Sequence, residues 1–318
     1  MADLFITRRL PDAVLERAAE HFTVTLRDDT SPVTAAEFSD ALGRYDAILP
    51  TLRDELTADA FANAERIRCR LLANFGVGYN HIDVAAARAA GVEVSNTPGA
   101  VTDATADTAM ALILATCRRA GEGERMVRAG HWEGWHPTQL LGQHVTGRTV
   151  GIVGMGRIGQ AIAKRCHFGF GMDVVFYNRS QVTDLPFPAR QLQGVQEVAQ
   201  AADIVVTAVS ATPQTHHMIG AEVFAAMKPT GVFVNIARGD IVNEMALIAA
   251  LSEGRIFGAG LDVYEFEPDV PEELIGMDNV TLFPHLGTAT LEVRTDMGMM
   301  AVDNLVAFFD DGSLPNRV

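Results

Sequence analysis

Short apolar runs rich in β-branched residues alternate with stretches whose apolar residues recur at helical spacing, from one end of the chain to the other. In the first third the strand pattern falls on Leu4–Thr7, Phe22–Leu26, Ala47–Leu49, Leu71–Asn74 and Val92–Ser95. Helical patterns lie between them, as at Asp12–Ala19 behind Pro11 and at Asp83–Ala90, which runs into Gly91. This alternation predicts an α/β fold with largely parallel sheets.

A helical stretch over Ala104–Arg119 is apolar on most of its circumference, which predicts burial. A looser segment holding Trp132 and Trp135 follows. A second α/β series then begins, with strands expected at Thr149–Val153, Asp173–Tyr177, Ile204–Val209, Val232–Ile236, Gly258–Val263 and Val280–Phe283. The break between the two series falls near Asn96–Val101. The chain has 318 residues and 48% hydrophobic content, enough for two domains with real cores.

Composition narrows the partners. A net charge of −15 repels polyanions, so nucleic acid is not expected, and an anionic small molecule would need a local site of arginine and backbone N–H groups. No apolar run reaches a membrane span, and no charged head with a long apolar stretch opens the sequence, so neither membrane nor secretory signal is expected. Cys69, Cys117 and Cys166 lack metal-ligand spacing and read as buried free thiols of a reducing cytoplasm. No metal site is expected.

The most informative motif is Gly154-Met-Gly-Arg-Ile-Gly159, placed directly after one strand and before the helical run Gln160–Cys166. Gly154 permits a tight turn, Gly156 lets a pyrophosphate approach the backbone, and Gly159 lets the helix pack on the strand. Phosphates would then sit at the helix N-terminus. The following strand ends in Tyr177-Asn178-Arg179-Ser180, where an acid would grip the ribose of NAD. Asn178 repels nothing, and Arg179 with Ser180 can serve a 2′-phosphate, so NADP(H) is expected over NAD(H), which stays possible.

Ligands of open α/β sheets bind beyond the carboxyl ends of the strands. Those ends carry Val209-Ser210, followed by Pro213 and Thr215, then Asn235-Ile236-Ala237-Arg238, Asp262 with Glu267, and His285 with Gly287. Arg238 could hold a carboxylate and polarise a carbonyl, His285 could donate a proton, and Glu267 could fix the imidazole and favour its charged form. Each also has a plainer reading, as a cap, a solvated loop acid or a core histidine.

With these residues the chain resembles the D-isomer-specific 2-hydroxyacid dehydrogenase family over essentially its whole length. The resemblance rests on Asn74-Phe-Gly-Val-Gly-Tyr-Asn80, Asn96-Thr-Pro-Gly99, Val101-Thr-Asp-Ala-Thr-Ala-Asp107, Gly154–Gly159, Asn235-Ile-Ala-Arg-Gly239, Gly260-Leu-Asp-Val263 and Pro284-His-Leu-Gly287. It implies two doubly wound, Rossmann-like domains with an active-site cleft between them: residues 1–98 with 288–318 for substrate, and residues 99–287 for dinucleotide, including a dimerisation segment. The family's catalytic residues fall on Arg238, Glu267 and His285. Val77 and Gly78 would bind the substrate carboxylate together with Arg238 and His285. Thr105, Arg157, Ile158, Ser210, Gly287 and Asp262 would contact the cofactor. A homodimer is implied, with Trp135 either reaching the partner's active site or packing in the interface.

Within the family, the Asn-Arg-Ser stretch looks most like the NADPH-preferring glyoxylate/hydroxypyruvate reductases, which reduce a small 2-oxo acid to the D-2-hydroxy acid. Two alternatives stay open: formate or phosphite oxidation on the same fold, and a dehydrogenase-like corepressor. Glu267 argues against formate, because the family's formate enzymes carry glutamine there. His216-His217 reads as a solvated loop, and Arg294 as a solvent-facing or paired cation.

Overall fold

The computed structural model describes residues 1–318, in two compact units: Met1–Val101 with Thr288–Val318, and Thr102–Gly287. In chain order the first unit holds β1 (Ala2–Ile6), α1 (Asp12–His21), β2 (Phe22–Leu26), α2 (Ala35–Arg44), β3 (Ala47–Leu49), α3 (Ala58–Ala62), β4 (Leu71–Ala73), α4 (Val84–Ala89) and β5 (Glu93–Ser95). The second holds α5 (Thr102–Cys117), α6 (Ala120–Arg128), β6 (Thr149–Val153), α7 (Arg157–Phe170), β7 (Asp173–Tyr177), β8 (Arg190–Gln191), α8 (Val195–Ala201), β9 (Ile204–Thr207) and α9 (Ala221–Ala226). It continues through β10 (Val232–Asn235), a 3-10 turn (Gly239–Ile241), α10 (Glu244–Ser252), β11 (Gly258–Leu261), α11 (Glu272–Gly276) and β12 (Val280–Leu282). The last helix, α12 (Leu291–Asp310), belongs to the first unit and packs on α1 and β4.

Both sheets are parallel throughout, as the βα alternation requires. The first has the order β2-β1-β3-β4-β5, and the second β12-β11-β10-β9-β6-β7-β8. The order of the second reverses between β6 and β9, which is where a doubly wound sheet opens a crevice for a dinucleotide. Its strands carry near-continuous buried apolar residues because helices cover both faces.

Three local details differ from the sequence reading. The segment after α5 is helical over Ala120–Arg128; Gly121 and Gly123 weaken its propensity, and its polar face hides the pattern. Arg119, left-handed at φ 51°, breaks it from α5, and its guanidinium closes a two-bond pair with Glu122. The two-residue edge strand β8 has no apolar run to announce it. Several strands stop one or two residues early: the β9 ladder ends at Thr207, so Ala208–Ser210 leave the sheet as loop.

Candidate active site

The glycine loop spans the reversal of strand order. Gly154 has φ +100°, and a Cβ there would lie 2.7 Å from the carbonyl oxygen of Ala208, at the end of β9. At Gly159 a Cβ would lie 2.0 Å from Gly154 O, so α7 can approach β6 only without a side chain. Gly156 differs: a Cβ there would meet no protein atom within 4 Å. Its bareness serves no internal packing and leaves an open cradle, which fits a pyrophosphate at the N-terminus of α7. No side chain caps that terminus, and Arg157 and Ile158 form its first turn.

At the end of β7, Asn178 Oδ1 accepts the N–H of Met155 at 3.2 Å, and its Nδ2 donates to Ser180 O at 3.0 Å and Ser180 Oγ at 3.2 Å. Asn178 thus braces the glycine loop, while Arg179 stays exposed with no ion pair. Beyond β9, Ser210 and Pro213 are exposed, and the Thr215 hydroxyl donates to Ser210 O at 2.8 Å, folding that loop on itself. Ile236 and Ala237 are buried, and Thr105 Oγ1 donates to Gly287 O at 3.2 Å.

Three neighbouring strand ends, β10, β11 and β12, deliver the polar cluster. After β10, Asn235 Nδ2 holds Arg238 O at 2.9 Å, which fixes the exit of the chain. Gly239 then packs so tightly on the Tyr264–Glu265 backbone that a Cβ would fall 1.8 Å from Tyr264 C. That contact brings Arg238 beside the loop carrying Glu267. Burial pushes the Arg238 guanidinium down, opposed by the charges of Glu267 and Asp240.

After β11, Asp262 is 1% exposed, and its carboxylate accepts the N–H groups of Leu286 at 2.6 Å and Gly287 at 2.8 Å. The His285 N–H donates to Asp262 O at 2.9 Å. These bonds hold His285 in the left-handed region at φ 56°, a backbone conformation that a non-glycine residue keeps only when its surroundings impose it. Burial raises the Asp262 carboxyl, against the opposing pull of these bonds and of His285.

His285 Nδ1 lies 2.9 Å from Glu267 Oε2, and Glu267 Oε1 accepts the Tyr264 N–H at 3.1 Å. Burial alone would raise the Glu267 carboxyl, but His285, Tyr264 N–H and the Arg238 charge together hold it below its ordinary value. Nδ1 of the histidine is committed to Glu267, which leaves Nε2 as the ring atom for a ligand. Arg238, Glu267 and His285 thus form one cluster; Val77 and Gly78 lie in the other unit, on the loop after β4.

Residues 110–287 match the sequence profile described as the D-isomer specific 2-hydroxyacid dehydrogenase, NAD binding domain. The chain belongs to the D-isomer specific 2-hydroxyacid dehydrogenase family. A glyoxylate reductase of Thermococcus gammatolerans is 41% identical over 317 residues, covering 98% of this chain and 94% of that protein. A glyoxylate/hydroxypyruvate reductase B of Escherichia fergusonii is 42% identical over 307 residues, covering 96% and 94%. Among solved structures, an NADPH-dependent glyoxylate/hydroxypyruvate reductase of Sinorhizobium meliloti, in complex with NADP and malonate, superposes with a TM-score of 0.88. It is 36% identical and covers 100% of this chain and 96% of its own.

Membership in this dehydrogenase family accounts for the cluster and leaves some neighbours over. His217 was expected in a solvated loop. Its Nε2 instead lies 2.8 Å from Glu265 Oε1, and the Glu265 N–H donates to Glu244 Oε1 at 2.9 Å. Burial, with the charges of Glu265 and Glu267, raises the Glu244 carboxyl against that bond. Nothing in the His-His pair announces this partner, which is 48 residues away. Arg294 is exposed on α12. The three thiols are free and buried, and burial pushes each up to about 12, which leaves them inert. No helix is long and apolar enough to cross a membrane.

Proposed function

We propose that this dehydrogenase reduces a small 2-oxo acid of the glyoxylate/hydroxypyruvate type to the D-2-hydroxy acid, with NADPH preferred over NADH. The observation that carries the reading is the His285–Glu267 pair at 2.9 Å with the half-buried Arg238 guanidinium beside it. A bound reduced nicotinamide supplies the hydride. The protein supplies the rest: Arg238 draws electron density toward the carbonyl oxygen and grips the carboxylate, and His285 Nε2–H delivers a proton to the oxygen as it gains charge. Glu267 stays ionised and orients the ring through Nδ1. In the reverse direction the neutral imidazole takes the hydroxyl proton.

Val77 and Gly78 add backbone N–H groups for the substrate carboxylate. The glycine loop with Arg157 and Ile158 would take the pyrophosphate, and Arg179 with Ser180 the 2′-phosphate. Thr105, Val209, Ser210, Pro213, Thr215, Ile236, Ala237, Asp262 and Gly287 would line the nicotinamide side. The Sinorhizobium meliloti relative, solved with NADP, supports the cofactor preference.

A homodimer in a reducing cytoplasm completes the reading. Helix α6 has no buried residue, and Val127 on it and Trp135 and Leu141 after it are 60%, 78% and 62% exposed. Steady-state assay of glyoxylate, hydroxypyruvate, pyruvate, phenylpyruvate and formate with both cofactors tests the activity. Failure to oxidise NADPH with any 2-oxo acid overturns it.

A further inference from the structure

The loop after β4 has an unusual wiring. Three successive carbonyls, those of Gly76, Val77 and Gly78, are all held by asparagine side chains. Asn74 Nδ2 donates to Gly76 O and Gly78 O, each at 3.0 Å, and Asn96 Nδ2 donates to Val77 O at 2.9 Å. In a trans peptide the N–H of the next residue points opposite to the carbonyl. Pinning these three oxygens therefore turns the N–H groups of Val77, Gly78 and Tyr79 away from the asparagines. No protein group accepts from any of the three, and the loop is only partly buried. Three unengaged successive donors make an anion-binding nest.

Asn96 is itself held at both backbone groups. Its N–H donates to Asn316 O at 3.1 Å, and its carbonyl accepts from Asn304 Nδ2 at 3.1 Å. Asn316 Nδ2 donates to Asn304 Oδ1 at 3.0 Å, which closes a ring of three asparagines. Asn304 is 2% exposed on α12, an otherwise apolar position, so its amide must have partners there. The segment after α12 is stitched to β5 by further bonds, Val318 N–H to Val94 O at 2.9 Å and Arg317 to Glu93 at 2.7 Å.

We infer that Asn96, Asn304 and Asn316 are positioning residues for carboxylate binding: the segment after α12 sets, through this ring, the direction of the Val77–Tyr79 N–H groups. None of the three touches the substrate. Their effect is on how well three donors converge, and so on affinity for the anionic end of the substrate rather than on proton or hydride transfer. The inference rests on the proposed 2-oxo acid substrate for its biological meaning and on the loop wiring for its geometry.

The test uses the full chain with oxalate as a non-reducible probe. Asn96→Ala removes the bond to Val77 O and is expected to raise the glyoxylate KM and the oxalate inhibition constant about tenfold, with kcat within about threefold. Asn316→Ala, at a half-buried site after α12, is expected to shift both constants in the same direction by a smaller factor. NADPH affinity stays unchanged. In the unsubstituted protein, oxalate should shift the Val77, Gly78 and Tyr79 amide resonances, and the variants should need more oxalate for the same shift. Unmoved amides, or variants in which kcat falls while KM and the oxalate constant hold, overturn the inference. If oxalate moves the amides but no 2-oxo acid is reduced, the nest stands and the functional reading falls. If 2-oxo acids are reduced with constants indifferent to both variants, the reverse holds.

Discussion

Glu267 Oε2 stands 2.9 Å from His285 Nδ1, although 18 residues of chain separate them. The pair is held from both sides: Tyr264 N–H fixes the carboxylate, and the Asp262 turn fixes the histidine backbone. His285→Ala removes the proton donor and leaves the glycine loop intact. It should lower kcat for glyoxylate by about a thousandfold while the NADPH dissociation constant holds. Measuring both by stopped flow and fluorescence titration checks the split; an unchanged kcat removes His285 from the chemistry.

The carboxylates around that pair also set a pH dependence of stability. Glu267 lies below its ordinary value in the folded state, so its contribution is present above the unfolded value and is lost as pH falls through the folded one. Glu244 lies above its ordinary value, so stability falls as pH rises from the unfolded value through the folded one, above which the cost of its charge is complete. Glu244→Gln, which keeps an acceptor for the Glu265 N–H, should raise the melting temperature by about 2 °C at pH 7.5, with the gain fading toward pH 4.5. Calorimetry across that range checks the sign.

The glycines of the loop separate folding from binding. Gly159→Ala would force a Cβ to 2.0 Å from Gly154 O and should sharply destabilise the second unit. Gly156→Ala meets no protein atom, so thermal stability should hold while cofactor affinity falls about tenfold or more. Melting curves with and without NADPH distinguish the two. Equal stability losses would mean that Gly156 has an internal packing role.

Arg179 is exposed, so its removal costs the fold little. Arg179→Ala should raise the NADPH KM about tenfold and the NADH KM far less, because only NADPH carries the 2′-phosphate. Equal changes for the two cofactors would remove the phosphate-binding role.

Much of this molecule was legible in the chain alone. Short continuous apolar runs alternating with 3.6-residue periods pointed to two parallel α/β series, because a strand buried on both faces and a helix with an apolar stripe leave local marks. Phe22–Leu26, Ala47–Leu49, Thr149–Val153 and Asp173–Tyr177 are strands with those same bounds. The glycine loop was equally plain, since Gly154 and Gly159 answer to close contacts with a strand end and a turn, and Gly156 to an open cradle. Helix α6 was missed because Gly121, Gly123 and a polar face erase the local mark.

The tertiary structure decided how polar groups from distant segments meet. Sequence alone placed Arg238, Glu267 and His285 at strand ends, because a motif and a strand end are local features. It could not place His217 on Glu265, Asp262 on the Leu286–Gly287 backbone, or Asn304 between Asn96 and Asn316. Those pairings follow from strand order and helix packing, and no periodicity encodes a hydrogen bond across 208 residues such as Asn304 to Asn96. The chain by itself determined which chemistry the strand ends could carry; the fold decided which buried polar atoms hold those ends in place, because a buried amide or carboxylate takes whatever partner the packing brings within 3 Å.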